Sequence, residues 1–152
     1  WLMSSAAENL PLAELTMPPL VGVLGFATMT VRPGDTLAAQ GVGDLTVVSN
    51  ANLISLLESA AIAALDEYCG TGISTILNSM TLEAATSAAI GAELQASAEC
   101  VAQEGELNNV LTFSCEIYEG ERLVLKAIQK RSTVERVTFL ARTAAQKLFE
   151  SK

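Results

Sequence analysis

The stretch from Ser49 to Gly70 is the feature that most constrains how this chain can fold. Residues 49–52, rich in capping side chains, precede the run LISLLESAAIAALDEYC, and Gly70 follows it. Such residues before an apolar run, and a glycine after it, are typical of a helix start and end. Apolar residues lie on nearly every side of the helical wheel: Leu53, Leu56, Leu57, Ala60 and Ala64 on one side, Ile54, Ile62 and Leu65 on the other. We therefore expect one long helix that is buried all round.

Segments that favour β-strands lie on both sides of this helix. Residues 22–31 alternate loosely before a turn at 32–35, and a short extended piece covers 45–48. Four further strands are predicted after the helix, at 73–82, 89–101, 110–118 and 123–133. The Glu-Gly-Glu breaks at 104–106 and 119–121 are short enough for hairpin turns. We expect these four strands to form an antiparallel meander curled around the helix, in an α+β domain.

The last segment, residues 132–152, has helical spacing. Ser132 and Glu135 stand three residues apart, as in a capping box. Apolar residues then recur at helical intervals, at Val137, Leu140, Ala141, Ala144 and Leu148. We predict a closing helix that starts near Ser132.

Length and composition favour a single domain without a membrane span. Half of the 152 residues are hydrophobic, which is enough for one continuous core. The longest apolar runs fall well short of the roughly 20 residues that a membrane span needs. The first 25 residues contain no Lys or Arg, so they lack the positive region of a secretion signal. The three cysteines, Cys69, Cys100 and Cys115, are too widely spaced for a disulfide framework or a zinc site. We expect a cytoplasmic protein with unpaired thiols and no metal.

The charges are distributed unevenly along the chain. The formal net charge is −8, which argues against nucleic acid as a partner, because phosphates need a basic face. Residues 1–120 contain a single basic side chain, Arg32, and all the others follow: Arg122, Lys126, Lys130, Arg131, Arg136, Arg142, Lys147 and Lys152. Any anion-binding edge is therefore expected near the C-terminus.

The chain contains no histidine. Ser-His-Asp and Cys-His catalytic groups are therefore excluded, and a homodimer does not supply the missing residue. Any acid–base catalysis must use carboxylates, lysine, tyrosine or bound water.

Three runs of the sequence point to a known family. They are GFATMTVRPGDTLAAQGVGDLTVVSNANLISLLESAAIAAL, GISTILNSMTLEAATSAAIGAEL and YEGERLVLKAIQKRSTVERVTFLA. In order and spacing they resemble the hotdog thioesterases of the fluoroacetyl-CoA-specific type, over roughly residues 20–141. The resemblance implies a hotdog domain at 20–152 after an N-terminal extension at 1–19. It also implies a homodimer or dimer of dimers that hydrolyses an acyl-CoA thioester, with coenzyme A as part of the substrate and no cofactor.

The resemblance also assigns roles to single positions. The family's long helix carries a glutamate, matched by Glu58, and a threonine eight residues earlier, where this chain has Asn50. A family histidine falls at Ala84, and the family motif Gly-Thr-His-x-Arg falls on residues 127–131, where Arg131 matches. Glu58 and Arg131 are retained, whereas the threonine and both histidines are replaced.

Glu58 allows two interpretations. Ile54 and Ile62 stand one turn to either side, and a carboxylate among apolar side chains is costly to ionise, which strengthens it as a general base. The alternative is a solvated strip with Glu58 at its edge, marked by Ser55, Ser59 and Asp66.

Asn50 also allows two interpretations. It caps the helix, or its amide orients a water or the thioester carbonyl beside the free amides of the helix start. The two roles are compatible, but an asparagine is not a nucleophile.

The basic residues of the last strand are divided between its two faces. Lys126 and Lys130 share one face and Arg131 points to the other. Phosphates of coenzyme A are suitable partners for all three, and Arg131 is favoured through the resemblance. For the two lysines the alternative is a solvated strand face.

Three functions remain open from the sequence. The first is an acyl-CoA thioesterase in which Glu58 activates water and the helix start holds the carbonyl oxygen. The second is a hotdog protein that binds acyl-CoA or another hydrophobic ligand without catalysis. The third is a structural or partner-binding dimer.

Overall fold

The computed structural model describes residues 16–150, so residues 1–15 of the predicted N-terminal extension lie outside the described part. The described residues form seven main elements: β1 (Leu24–Thr30), α1 (Asn50–Leu65), β2 (Ile73–Ala84), β3 (Glu93–Glu104), β4 (Val110–Glu119), β5 (Arg122–Glu135) and α2 (Arg136–Glu150). The central helix with strands before and after it confirms the predicted α+β class. Neither helix is long and apolar enough to cross a membrane.

The five strands form one antiparallel sheet in the order β1-β3-β4-β5-β2. β3, β4 and β5 follow one another as the predicted meander. The prediction that β2 belongs to this meander is wrong, because β2 pairs with β5 at the far edge of the sheet. The connection at 85–92 bonds to Val124 and Val48, so it crosses the end of the sheet instead of returning as a hairpin.

Side-chain size on the strands determines where α1 lies. The helix packs across β1 and β3 and reaches β4. The inward residues of β3 include two alanines, Ala96 and Ala98, which let the helix approach closely. Larger side chains from β4 fill the remaining depth, among them Leu111, Phe113 and Ile117. Each of these residues is fully buried, so the core lies between α1 and the inner face of this part of the sheet.

Gly25 on β1 marks the closest approach of α1 to the sheet. A Cβ atom at this position would lie 2.1 Å from the carbonyl oxygen of Ala60 and 2.3 Å from the amide nitrogen of Ala64. Both contacts are with helix backbone, which cannot turn aside as a side chain can. The glycine is therefore required by the packing of α1 on β1.

One strip of α1 is not covered by the sheet. Seven residues of the helix are buried, but Ile62 is 49% exposed and Ile54 is half-buried. Glu58 lies between them on the same strip. The prediction of a helix buried on every side is therefore wrong for the single chain, because the sheet covers only one side of it.

α2 begins later than its predicted start at Ser132. Pairing with β2 keeps β5 extended as far as Glu135, so Ser132 lies within the strand. The Glu135 carboxylate instead accepts hydrogen bonds from the backbone amides of Thr138 (2.8 Å) and Val137 (3.3 Å). The bond from Thr138 is the main reason that the pKa of Glu135 lies below its usual value. The predicted helix is confirmed, and the predicted capping box is wrong.

Replacing Gly25 with alanine should destabilise the fold. The added methyl group would displace α1 from β1, so the free energy of unfolding should fall by about 1–3 kcal/mol or more, measured by urea denaturation. Gly70→Ala is the matched control, because a Cβ there meets nothing within 4 Å. Equal stability of the two variants would contradict the close packing of α1 on Gly25.

Candidate functional site

A buried ion pair joins α1 to β5. Nη1 of Arg131 lies 2.8 Å from Oε1 of Glu58. The Arg131 side chain is 3% exposed and the Glu58 side chain 32% exposed, so the pair lies at the edge of the core with only its carboxylate open to solvent. The structure therefore brings together the two residues that match the family.

The alternation of β5 explains why Arg131 points inward. Ala127, Gln129 and Arg131 are buried, whereas Lys126 and Lys130 are exposed on the other face. This confirms the prediction that the two lysines share one face and Arg131 occupies the other. A guanidinium that is buried away from water needs several hydrogen-bond acceptors from the protein. Arg131 finds them in Thr75, at Oγ1 (3.2 Å) and at the carbonyl oxygen (3.4 Å), and in Gln129 Oε1 (3.3 Å).

Gln129 belongs to this site although the sequence analysis did not select it. Its side chain is completely buried, and Nε2 donates to the carbonyl oxygen of Leu57 (2.9 Å) and to Sγ of Cys115 (3.3 Å). Burial raises the pKa of the Cys115 thiol, and the hydrogen bond from Gln129 partly opposes this rise. The sequence did contain a signal, since Gln129 is polar at an inward position of β5.

The surroundings of Glu58 differ from those expected. Ile54 and Ile62 were expected to enclose the carboxylate, but both are partly open to solvent and a guanidinium contacts it. Within residues 16–150, Oε1 bonds to Arg131, and no hydrogen-bond partner is found for Oε2. One oxygen of Glu58 is therefore held and the other is free to meet a water or a ligand.

Asn50 does not cap α1. Ser49 is the N-cap residue, and its Oγ accepts the backbone amide of Asn52 at 3.2 Å. The capping interpretation of Asn50 is therefore wrong. Its side chain is exposed on the first turn, eight residues before Glu58, or about 12 Å along the helix axis. Its role in orienting a carbonyl stays a prediction.

Ala84 is distant from Glu58 within one chain. It is exposed at the end of β2, opposite Leu125. Thr75, which bonds to Arg131, lies nine residues earlier on the same strand, which corresponds to about 30 Å. A single chain therefore does not place Ala84 beside the ion pair.

The two lysines lie close to carboxylates on the outer face of the sheet. Lys126 stands opposite Glu116 on β4 and Glu83 on β2. Nζ of Lys130 lies 3.8 Å from a carboxylate oxygen of Glu104. These neighbours offset the positive charge and favour the solvated-face interpretation. A contact between either lysine and coenzyme A stays a prediction.

A cleft opens next to two neighbours of the ion pair, although neither Glu58 nor Arg131 lines it. Its volume is about 340 Å³, and it lies between the end of α1 and the start of β2. Ile62 and Thr75 line it, and both are neighbours of the pair; the other lining residues include Leu65, Cys69, Ile73 and Arg136. Among residues 16–150, no group of three His, Cys, Asp or Glu side chains is placed to hold a metal ion.

The comparisons with known proteins concern the family and the fold of the chain. No curated protein sequence matches the chain significantly. A crystal structure of a fluoroacetyl-CoA thioesterase variant with acetyl-CoA is similar at a TM-score of 0.76 and 17% identity, covering 83% of this chain and 97% of that one. A thioesterase superfamily member from Thermus thermophilus has a TM-score of 0.78 and 18% identity, covering 90% of this chain and 100% of that one. A hotdog-like protein from Thermanaerovibrio acidaminovorans has a TM-score of 0.71 and 19% identity, covering 92% and 98%.

These likenesses confirm the hotdog fold. The model of the fluoroacetyl-CoA-specific thioesterase family matches residues 31–137, which is more than two thirds of the sequence. That span begins directly after β1 and contains the whole of α1, the four strands β2 to β5 and the Glu58–Arg131 pair. The chain therefore belongs to the fluoroacetyl-CoA-specific thioesterase family.

Proposed function

We propose that this protein binds an acyl-CoA thioester over the Glu58–Arg131 pair and hydrolyses it slowly, without histidine. Its family supports the substrate class. Related structures support it further, since fluoroacetyl-CoA thioesterase variants are described in complex with acetyl-CoA and with fluoroacetate and CoA.

The free oxygen of Glu58 carries this proposal. Arg131 holds Oε1 and leaves Oε2 open on a side chain that is one-third exposed. A general base must reach the proton that it removes, either directly or through one water. In the absence of histidine, this carboxylate is the group best placed for that role.

In the proposed hydrolysis, the Glu58 carboxylate acts as the general base. The water oxygen bonds to the thioester carbon while one water proton moves to Oε2 of Glu58. Collapse of the tetrahedral intermediate breaks the C–S bond, and the proton passes to the leaving thiolate of coenzyme A. Asn50 and the free amides of the α1 start stabilise the carbonyl oxygen.

The same ion pair favours a second candidate, binding without turnover. A carboxylate is intrinsically a weaker base than the imidazole of a histidine, and acid–base catalysis contributes on the order of 10²–10⁴ in rate. The exposed Asn50 does not replace a nucleophile or a base. Slow hydrolysis and simple binding are therefore the two outcomes that the site supports.

A homodimer is part of the proposal. β2 lies at an edge of the sheet, and a free edge strand invites pairing with another chain. The α1 strip with Ile54 and Ile62 is also left uncovered by the sheet of its own chain. Both features fit a two-fold dimer.

A cytoplasmic location is also part of the proposal, because three free thiols suit a reducing compartment.

Replacing Glu58 with glutamine tests the mechanism. The amide keeps the shape of the carboxylate but loses the base, so hydrolysis of short acyl-CoAs should fall by on the order of 100-fold or more. Affinity for coenzyme A should change little. Glu67→Gln is the matched control, because Glu67 is an exposed carboxylate just beyond the end of the same helix.

Retention of most of the activity by Glu58→Gln would remove Glu58 from the mechanism. If the native protein turns over no acyl-CoA but is thermally stabilised by coenzyme A, binding without catalysis is the function. If it does neither, the proposal fails.

Sedimentation tests the homodimer. The native protein should sediment as a dimer at micromolar concentration, and Ile62→Glu should shift it toward monomer, because the charge would be buried in the interface. Ile90→Glu is the control, since Ile90 is exposed to a similar degree but lies on the connection after β2. A monomeric native protein would refute the dimer.

A further inference from the structure

A group of exposed apolar side chains lies on the outer face of the sheet at its β1 edge. Leu24 and Phe26 on β1 are 54% and 58% exposed, and Val101 on β3 is 44% exposed. Leu24 pairs with Glu99, two residues before Val101, so these side chains share one surface, which we call the β1 patch. Large apolar side chains grouped on an exposed surface usually mark an interaction site.

α2 has an exposed apolar side as well. Leu140 and Leu148 are 59% and 68% exposed, and Ala144 between them is also exposed. Residues four apart lie above one another on a helix, so these three form one line, which we call the α2 strip. The half-buried residues of α2 lie on a different side of the helix, at Val137, Thr138, Ala141 and Ala145. α2 therefore turns one side toward its own chain, mainly toward β5, and the α2 strip toward solvent.

The distribution of charge favours a second copy of this chain as the occupant of both surfaces. Residues 136–152 contain only one of the 17 acidic side chains but four of the nine basic ones, so residues 1–135 contain 16 acidic and five basic side chains. A positive helix on one copy and a negative body on another are complementary. An anionic lipid surface would attract α2 but repel the rest of the protein.

Glu99 indicates which of the two surfaces the α2 strip meets. If two β1 patches packed against each other, two Glu99 carboxylates would enter the same interface, and like charges there are unfavourable. Two α2 strips packed together would repel in the same way, because Arg136 and Lys147 flank the strip on the helical wheel. Contact between a strip and a patch instead brings these basic side chains toward Glu99.

We propose that the α2 strip of one copy docks on the β1 patch of a second copy, which returns the same contact. Residues four apart on a helix rise about 6 Å along its axis, and residues two apart on a strand rise about 6.7 Å. The residues of the α2 strip can therefore follow the line of Leu24 and Phe26. The reciprocal arrangement is two-fold and closed. It uses neither β2 nor the exposed side of α1, so it joins two of the proposed homodimers into a tetramer, independently of any hydrolysis.

Sedimentation velocity at two protein concentrations tests the contact. One face of a 15-residue helix makes a small interface, so the assembly should be weak. At about 5 μM the dimer should dominate, and at about 500 μM in low salt most dimers should be paired into tetramers. Salt at about 0.5 M should return tetramers to dimers, because it screens the attraction between α2 and Glu99.

Two variants, one on each surface, should lose this concentration-dependent doubling. Leu140→Glu places an acidic group in the α2 strip, and Phe26→Glu places one in the β1 patch. Val42→Glu is the matched control and should keep the doubling, because Val42 is 61% exposed and belongs to neither surface. At the lower concentration all three variants should sediment as the native protein does.

The other outcomes contradict the inference. If the native protein does not double at the higher concentration, or if Val42→Glu also loses the doubling, the proposed contact is wrong. Loss in Phe26→Glu alone would indicate that two β1 patches pair, and loss in Leu140→Glu alone that two α2 strips pair. Native protein that does not double but sediments with phosphatidylserine vesicles, unless Leu140 is replaced, would make a lipid surface the occupant. An absence of thioester hydrolysis would refute the proposed function and leave this contact standing.

Discussion

The burial of the Arg131 guanidinium is the constraint on which the rest of the site depends. Removing such a charge from water costs several kcal/mol, and the cost is offset only when every side of the ion has a partner. Glu58, Gln129 and Thr75 supply those partners from α1, β5 and β2. Because α1 packs mainly on β1 and β3, this network is what joins the helix to the far side of the sheet.

The charged groups on the two faces of the sheet have different surroundings. On the inner face, each guanidinium nitrogen of Arg131 has a partner, and within residues 16–150 no hydrogen-bond partner is found for one oxygen of Glu58. On the outer face, Lys126 and Lys130 lie among acidic neighbours. The three basic residues of β5 at 126, 130 and 131 therefore do not form one anion-binding surface. The chemistry available to the inner face is that of a carboxylate held by a guanidinium, one helical turn from a residue that lines a cleft, in a fold that the chain shares with hotdog thioesterases.

Local periodicity was enough to predict much of this arrangement. The helical run around Glu58 and the alternation along 123–133 predicted α1, β5 and the position of Arg131 on the face opposite to the two lysines. The resemblance to a family identified Glu58 and Arg131 as retained residues. It did not show that their side chains are in contact. Their contact depends on how the helix is placed over the sheet, which no single segment encodes.

The features that the sequence did not predict correctly depend on long-range contacts or on several residues that suit the same role. The position of β2 was missed because strand pairing across a sheet is decided by long-range contacts. Capping by Asn50 was left open because Ser49, Asn50 and Asn52 are equally suitable N-cap residues. Gln129 was missed because a polar residue on a strand is usually solvated. The open strip of α1 was missed because a pattern of apolar residues does not tell whether the chain's own sheet or a partner covers them.

The central claim is that coenzyme A binds on the inner face, at the Glu58–Arg131 pair, and not on the lysine face. Isoleucine methyl groups lie near both of these faces. Ile54 and Ile62 flank Glu58 on α1, and Ile128 is exposed between Lys126 and Lys130. The most direct measurement is a titration of methyl-labelled protein with coenzyme A, followed by NMR. The account predicts that the resonances of Ile54 and Ile62 shift while that of Ile128 stays in place. A shift of Ile128 alone would contradict it and place the ligand on the outer face of the sheet.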